Sequence, residues 1–179
     1  MRPVCSVFIA SSLDGFIARP DGGLDWLDAV QSPGEDYGFG EFLASIDTLV
    51  VGRRTWEVVL GLGEWPYAGK RVAVLTGRPA EPCHGETFLA GAPAEIVERL
   101  GREGARRLYV DGGATIARFL EAGLVDDLTV SVIPVLLGDG IRLFPGRPPE
   151  TRLVLEESRT FPSGLVRLRY RAAAHLATA

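Results

Sequence analysis

Apolar positions along this chain fall into short, β-branched runs closed by glycine, proline or charge, the pattern of buried strands. The runs at 4–10, 47–51, 71–76 and 107–110 are the clearest, and three of them lead into Gly52, Gly77 and Asp111-Gly112-Gly113. Residues 86–89 form a weaker run. The stretch 126–137 is long and very apolar, and Pro134 inside it marks an edge, a bulge or a bend. Two late runs, 152–158 and 164–171, flank Phe161-Pro162-Ser163-Gly164 and read as a terminal hairpin.

Helical spacing appears between the strands. Phe39, Phe42, Leu43 and Ile46 predict a helix over 36–45, and a second follows Gly52 over 54–60. A third, over 94–100, starts after Pro93, a residue suited to a first turn. Ile116, Phe119 and Leu120 share one face of a helix over 114–122, which Gly123 ends. Strands alternating with short helices predict an α/β fold with a largely parallel sheet, and the final hairpin adds an antiparallel edge. No repeat, low-complexity tract or linker divides the chain, so one domain is expected over 1–171, with a tail at 172–179. The glycine-rich segments running to Gly34 and over 61–69 have turn chemistry and read as mobile loops.

Composition supports a packed core. The chain has 179 residues, 46% of them hydrophobic and 23% charged, which suits one core and argues against disorder. A net charge of -4 gives no general attraction to nucleic acid or to an anionic membrane. An anionic ligand must then be held by local arginines. Cys5 and Cys83 form neither a CxxC pair nor a zinc pattern, and with no signal-peptide pattern or membrane-length apolar run a cytoplasmic protein is expected. His84 and His175 lack partners at metal-ligand spacing, so no metal is expected.

Three strand-to-helix junctions share one design. In Val51-Gly52-Arg53-Arg54-Thr55, Leu75-Thr76-Gly77-Arg78 and Asp111-Gly112-Gly113-Ala114-Thr115, glycine follows an apolar strand, with arginine or a hydroxyl close behind. Ligands of open α/β sheets gather at the carboxyl ends of strands, where helix N-termini offer free N–H groups to phosphate. Glycine lets the backbone approach, and guanidinium matches phosphate geometry. Three such turns on one edge suit a long, multiply phosphorylated ligand such as a dinucleotide. Arg53, Arg54 and Arg78 favour a 2′-phosphorylated ribose, and hence NADP over NAD. Neither GxGxxG nor GxxxxGK[ST] is present.

The order of these motifs resembles the dihydrofolate-reductase-like superfamily. Val7-Phe8-Ile9-Ala10-Ser11-Ser12-Leu13-Asp14-Gly15 resembles its opening strand, and Gly52-Arg53-Arg54-Thr55-Trp56 its Gly-Arg-x-Thr-Trp junction. Val110-Asp111-Gly112-Gly113-Ala114-Thr115 and Ile133-Pro134-Val135-Leu136-Leu137-Gly138-Asp139-Gly140 are similar to the reductase domain of the bifunctional riboflavin-biosynthesis deaminase–reductase. The resemblance implies a three-layer fold with a twisted, mostly parallel sheet of about eight strands, helices on both faces, and a homodimer. It implies NADPH across the strand ends, delivering hydride to a pyrimidine- or pterin-like ring. Carried onto this chain, Gly52, Arg53, Arg54 and Thr55 would meet the ribose phosphate and pyrophosphate. Leu75, Thr76, Gly77 and Arg78 would flank the adenosine, Gly112, Gly113, Ala114, Thr115 and Ile116 would cradle the pyrophosphate, and Ala10 would border the nicotinamide. The zinc-deaminase half of the bifunctional enzyme has no counterpart here.

For catalysis and substrate binding the candidates are Asp36, Asp14 and Trp26. Asp36 begins the predicted first helix, where it either binds an N–C–N edge of the substrate or caps the helix. Asp14 either touches substrate or shapes an Asx turn, and Trp26 either stacks on a ring or seals the core. Asp111 either faces the site or braces the Gly-Gly turn. The expected function is an NADPH-dependent reductase of a small heterocycle, of the phosphoribosylaminouracil-reductase type. Dihydrofolate reduction is one alternative, and a non-catalytic NADP-binding module is another.

Overall fold

The computed structural model describes residues 1–146 and 149–173. Eight strands make one sheet: β1 (Val4–Ser12), β3 (Thr48–Gly52), β4 (Arg71–Leu75), β5 (Thr87–Leu89), β6 (Arg107–Asp111), β7 (Asp127–Ile133), β9 (Leu153–Thr160) and β10 (Val166–Ala172). Their order across the sheet is β5-β4-β3-β6-β1-β7-β10-β9. The first six are mutually parallel, and β10 runs antiparallel to both β7 and β9. Two short strands, β2 (Phe16–Ala18) and β8 (Ile141–Arg142), pair separately. The helices are α1 (Phe39–Ser45), α2 (Arg53–Leu60), α3 (Pro93–Arg102) and α4 (Gly113–Glu121), with a 3-10 helix at Asp25–Val30.

The uninterrupted apolar strands follow from burial on both faces. On β3, Leu49 and Val51 pack with Trp56 and Val59 of α2, whereas Val50 packs with α3 and α4 through Ile96, Ile116 and Phe119. Alternation repeats on β6, where Tyr109 faces α1 and α2 and Leu108 and Val110 face the other side. The sheet is thus a middle layer, as the resemblance implies. The run over 126–137 is interior: β7 lies between β1 and β10 and ends at Ile133, directly before Pro134. Leu128 and Ile133 spend its apolar character on the core, whereas Leu136, beyond the strand, is exposed. Both cysteines are free, Cys5 buried and Cys83 exposed. Burial pushes the Cys5 thiol up to about 12, so it stays protonated and unreactive.

Three expectations need correction. The first helix starts at Phe39 rather than at Asp36, because Tyr37 and Gly38 take left-handed backbone (φ 56° and 83°). The supposed loop before Gly34 contains the 3-10 helix. Ala172 belongs to β10 rather than to a tail, and residues 174–179, with His175, lie outside the described residues. No helix among the described residues is long and apolar enough to cross a membrane.

Candidate active site

Chain direction reverses at the centre of the sheet. From β3 the chain moves outward through α2 to β4; from β6 it moves the other way through α4 to β7. Right-handed crossovers in opposite directions place α2 and α4 on opposite faces. Their N-termini therefore flank the ends of adjacent strands, with Val51 beside Asp111. Such a reversal opens a crevice at the carboxyl ends of the strands.

The two junctions touch. A Cβ on Gly112 would lie 2.3 Å from Thr55 Oγ1, and one on Gly52 would lie 2.9 Å from Thr115 Oγ1. Each helix thus places its threonine against the glycine of the other. Neither α2 nor α4 has a side-chain cap, so first-turn N–H groups remain for an anionic ligand. Arg54 and Arg78 are exposed, and their guanidinium groups have no partner within the described chain. Arg53 is engaged: it bonds Glu57 (2.7 Å) and donates to the Arg78 carbonyl (2.5 Å), tying the α2 junction to the β4 loop. Beside that loop, Leu75, Thr76 and Gly77 line a 230 Å³ recess with Arg118, whose guanidinium donates to the Gly91 carbonyl (2.8 Å).

This donor set fits a dinucleotide: two uncapped helix N-termini, brought together by glycines that leave room for each other's threonine, and, at one end, guanidinium groups with no partner among the described residues. Arg118 escaped sequence reasoning, although it lies one turn beyond Thr115 on α4. Ile116 does not join the set. Its N–H is spent on the Gly112 carbonyl and its side chain is fully buried. Gly113 is buried where a Cβ would meet the Arg142 carbonyl at 2.8 Å, so its smallness seats β8 over the start of α4. Ala114 is exposed in the first turn.

A cleft of about 610 Å³ opens beyond β1. Its floor is the face of β1 and β7 carrying Phe8, Ala10, Ser131 and Ile133, with Ala10 and Ser131 directly paired. Leu27 and Val30 form one wall; Glu35, Asp36 and Tyr37 form another. The Tyr37 hydroxyl donates to the Val30 carbonyl and bonds Ser163, fixing the two walls together. Ala10 and Asp36 meet in this cleft. The exposed Asp36 carboxylate accepts the N–H groups of Gly38 (2.8 Å) and Gly40 (2.9 Å), and these bonds hold its pKa down. In the free protein it is thus an ionised acceptor at the cleft wall, placed to take hydrogen bonds from a substrate edge.

Asp14 and Trp26 lie elsewhere. The Asp14 carboxylate takes hydrogen bonds from Ser12 Oγ, Leu137 N and Gly138 N, which bring its pKa to about 2. It clamps the segment after β7 to the end of β1 and is no proton carrier. Trp26 is 4% exposed and packs with Val30, Ile133, Phe161 and Leu165 beneath the cleft, so it seals the core rather than offering a stacking face.

Asp111 does brace the Gly-Gly turn, accepting the Gly112 N–H at 2.8 Å. Burial pushes its carboxyl up to about 6, despite the bonds from Gly112 and Tyr109. A folded pKa above the unfolded value of ~3.9 makes stability fall as pH rises from about 4 through 6. Asp111→Asn is uncharged throughout that range. Its stability relative to the parent should improve by about 1–2 kcal/mol between pH 5 and pH 7.5. Urea midpoints at the two pH values check this, and an unchanged difference would contradict a raised pKa.

Comparison with known proteins places this geometry in context. Residues 71–167 match the family described as the RibD C-terminal domain. The uncharacterized Bacillus subtilis (strain 168) protein YwjB is 37% identical over 158 residues, covering 87% of this chain and 90% of that protein. The riboflavin biosynthesis protein RibD of Corynebacterium ammoniagenes is 31% identical over an alignment of 161 residues that covers 78% of this chain and 45% of that longer protein. A Shewanella sp. PV-4 protein assigned to riboflavin biosynthesis has a crystal structure that superposes with a TM-score of 0.88. It is 35% identical, with 94% of this chain and 98% of that one covered.

Proposed function

Because this chain belongs to the RibD C-terminal domain family, and so to the pyrimidine-reductase-like oxidoreductases, we propose that it is an NADPH-dependent reductase of a small planar heterocycle. The observation that carries this reading is the pair of uncapped, threonine-bearing helix N-termini at the sheet's reversal point, next to a ring-sized cleft. Thr55, Thr115 and the N–H groups behind Gly52 and Gly112 would hold the pyrophosphate. Arg54 and Arg78 would hold the ribose phosphate, and Ala10 would border the nicotinamide. NADPH supplies the hydride when bound. The protein aligns the ring in the cleft, with Asp36 ionised at its wall, and keeps water away.

Titration with NADPH and NADH, read by quenching of Trp26, Trp56 and Trp65, tests the reading. NADPH should bind at least about tenfold tighter than NADH, the effect of one well-held phosphate. NADPH oxidation followed at 340 nm across pyrimidinones and pterins should then show turnover. Folded protein that binds neither nucleotide would sink the proposal.

A further inference from the structure

Two buried side-chain polar atoms among the described residues have no hydrogen-bond partner, Ser131 Oγ and Trp26 Nε1. An unpaired buried hydroxyl is costly to stability, so its retention calls for a reason. Ser131 is 3% exposed and lines the floor of the 610 Å³ cleft, between apolar neighbours Ala10 and Ile133. The hydroxyl is thus the one polar side-chain group on the strand floor of the cleft, beside Phe8, Ala10 and Ile133.

The charges around this cleft have one sign. Its described lining holds Glu35 and Asp36 but no lysine, arginine or histidine. Arg167 lies opposite Ser131 on β10, yet it is already neutralised. Its guanidinium donates to the Tyr37 carbonyl (2.8 Å) and pairs with Glu157 (2.6 Å), and its side chain is 13% exposed. The free arginines, Arg54 and Arg78, belong to the junctions assigned to the cofactor. A phosphate or carboxylate tail on a ring in this cleft would meet two carboxylates and no free cation.

We infer that the cleft selects a planar heterocycle without an anionic substituent, anchored through a ring heteroatom by the Ser131 hydroxyl, which is sealed beneath the cleft floor in the free protein and turns about its Cα–Cβ bond to meet the ring. This rests on the reductase reading of the same cleft and narrows it. A phosphoribosylated aminopyrimidine and a glutamate-bearing folate are both disfavoured. A nucleoside-like pyrimidine or a pterin with a neutral side chain fits, and Gln31 and Ser32 at the rim suit hydroxyl groups on such a side chain.

The test is direct binding to the full chain, by calorimetry without cofactor, of two matched pairs. One is an aminopyrimidinedione ribonucleoside and its 5′-phosphate; the other is 6-hydroxymethylpterin and 6-carboxypterin. The neutral member of at least one pair should bind about tenfold tighter, the scale of unscreened like charges at several ångströms. Ser131→Ala should weaken that ligand about five- to tenfold while the melting temperature of the free protein holds or rises. Equal or tighter binding of the anionic members overturns the proposal, as does failure of all four to bind or a Ser131→Ala variant with full affinity. NADPH titration of the same samples separates the two readings. Selective ring binding without NADPH binding would remove the reductase and leave the cleft's selectivity standing.

Discussion

Gly112→Ala is expected to destabilise the protein by about 3 kcal/mol or more and to abolish nucleotide binding. Gly112 has φ 91° and ψ 130°, a backbone region that is costly to any residue with a side chain. The added methyl would also lie 2.3 Å from Thr55 Oγ1, a contact that forces one junction away from the other. Chemical denaturation measures the first effect and NADPH titration the second. A Thr55→Ala partner substitution separates the causes. It removes the clashing hydroxyl, so the double variant should recover the steric part and keep the backbone strain. A Gly112→Ala protein as stable as the parent would mean that the two junctions do not interlock.

The second large effect concerns cofactor choice. The guanidinium groups of Arg54 and Arg78 have no partner among the described residues, whereas that of Arg53 is held by Glu57 and the Arg78 carbonyl. Replacing Arg54 and Arg78 together by alanine should weaken NADPH about 100-fold, the loss of two charge-assisted phosphate contacts at ~1.4 kcal/mol each. NADH affinity should move less than about threefold, because that nucleotide lacks the phosphate concerned. Arg53→Ala should instead weaken both nucleotides together, since its loss loosens the link between the α2 junction and the β4 loop. If the Arg54/Arg78 double variant keeps its NADPH preference, the phosphate is held elsewhere. Arg118, beside Thr76 and Gly77, is then the next candidate.

These junctions were readable from sequence because their signal is local. A β-branched run, a glycine and a hydroxyl or arginine stand within a few residues of one another, and burial of each strand on both faces keeps the run unbroken. What sequence could not supply depends on partners far away. β2 and β8 are three and two residues long and exist only because each finds the other. Asp36 looked like a helix start because nothing in the sequence marks Tyr37 as left-handed. The cleft was least legible: Ala10, Asp36, Ser131 and Leu165 come from four separate elements and loops. Ser131 stands in an apolar run as an ordinary small residue, and only the fold shows that its buried hydroxyl has no hydrogen-bond partner among the described residues.

The position of β1 also constrains how the chain can assemble. It precedes the sheet's other strands in chain order and lies inside the sheet, yet both its neighbours come late. Ser6 on β1 bonds Arg107 of β6, 101 positions away, and Asp127 of β7, 121 away. At ribosomal rates of about 5–20 residues per second, an emerging β1 waits several seconds for its first partner. β3, β4 and β5 meanwhile have neighbours close by in sequence and can pair early, but the sheet's centre must await closure of a long loop. The order of synthesis is therefore not the order of assembly, and the crevice at the strand ends, formed where β6 joins β3, arises only once that late strand has been inserted.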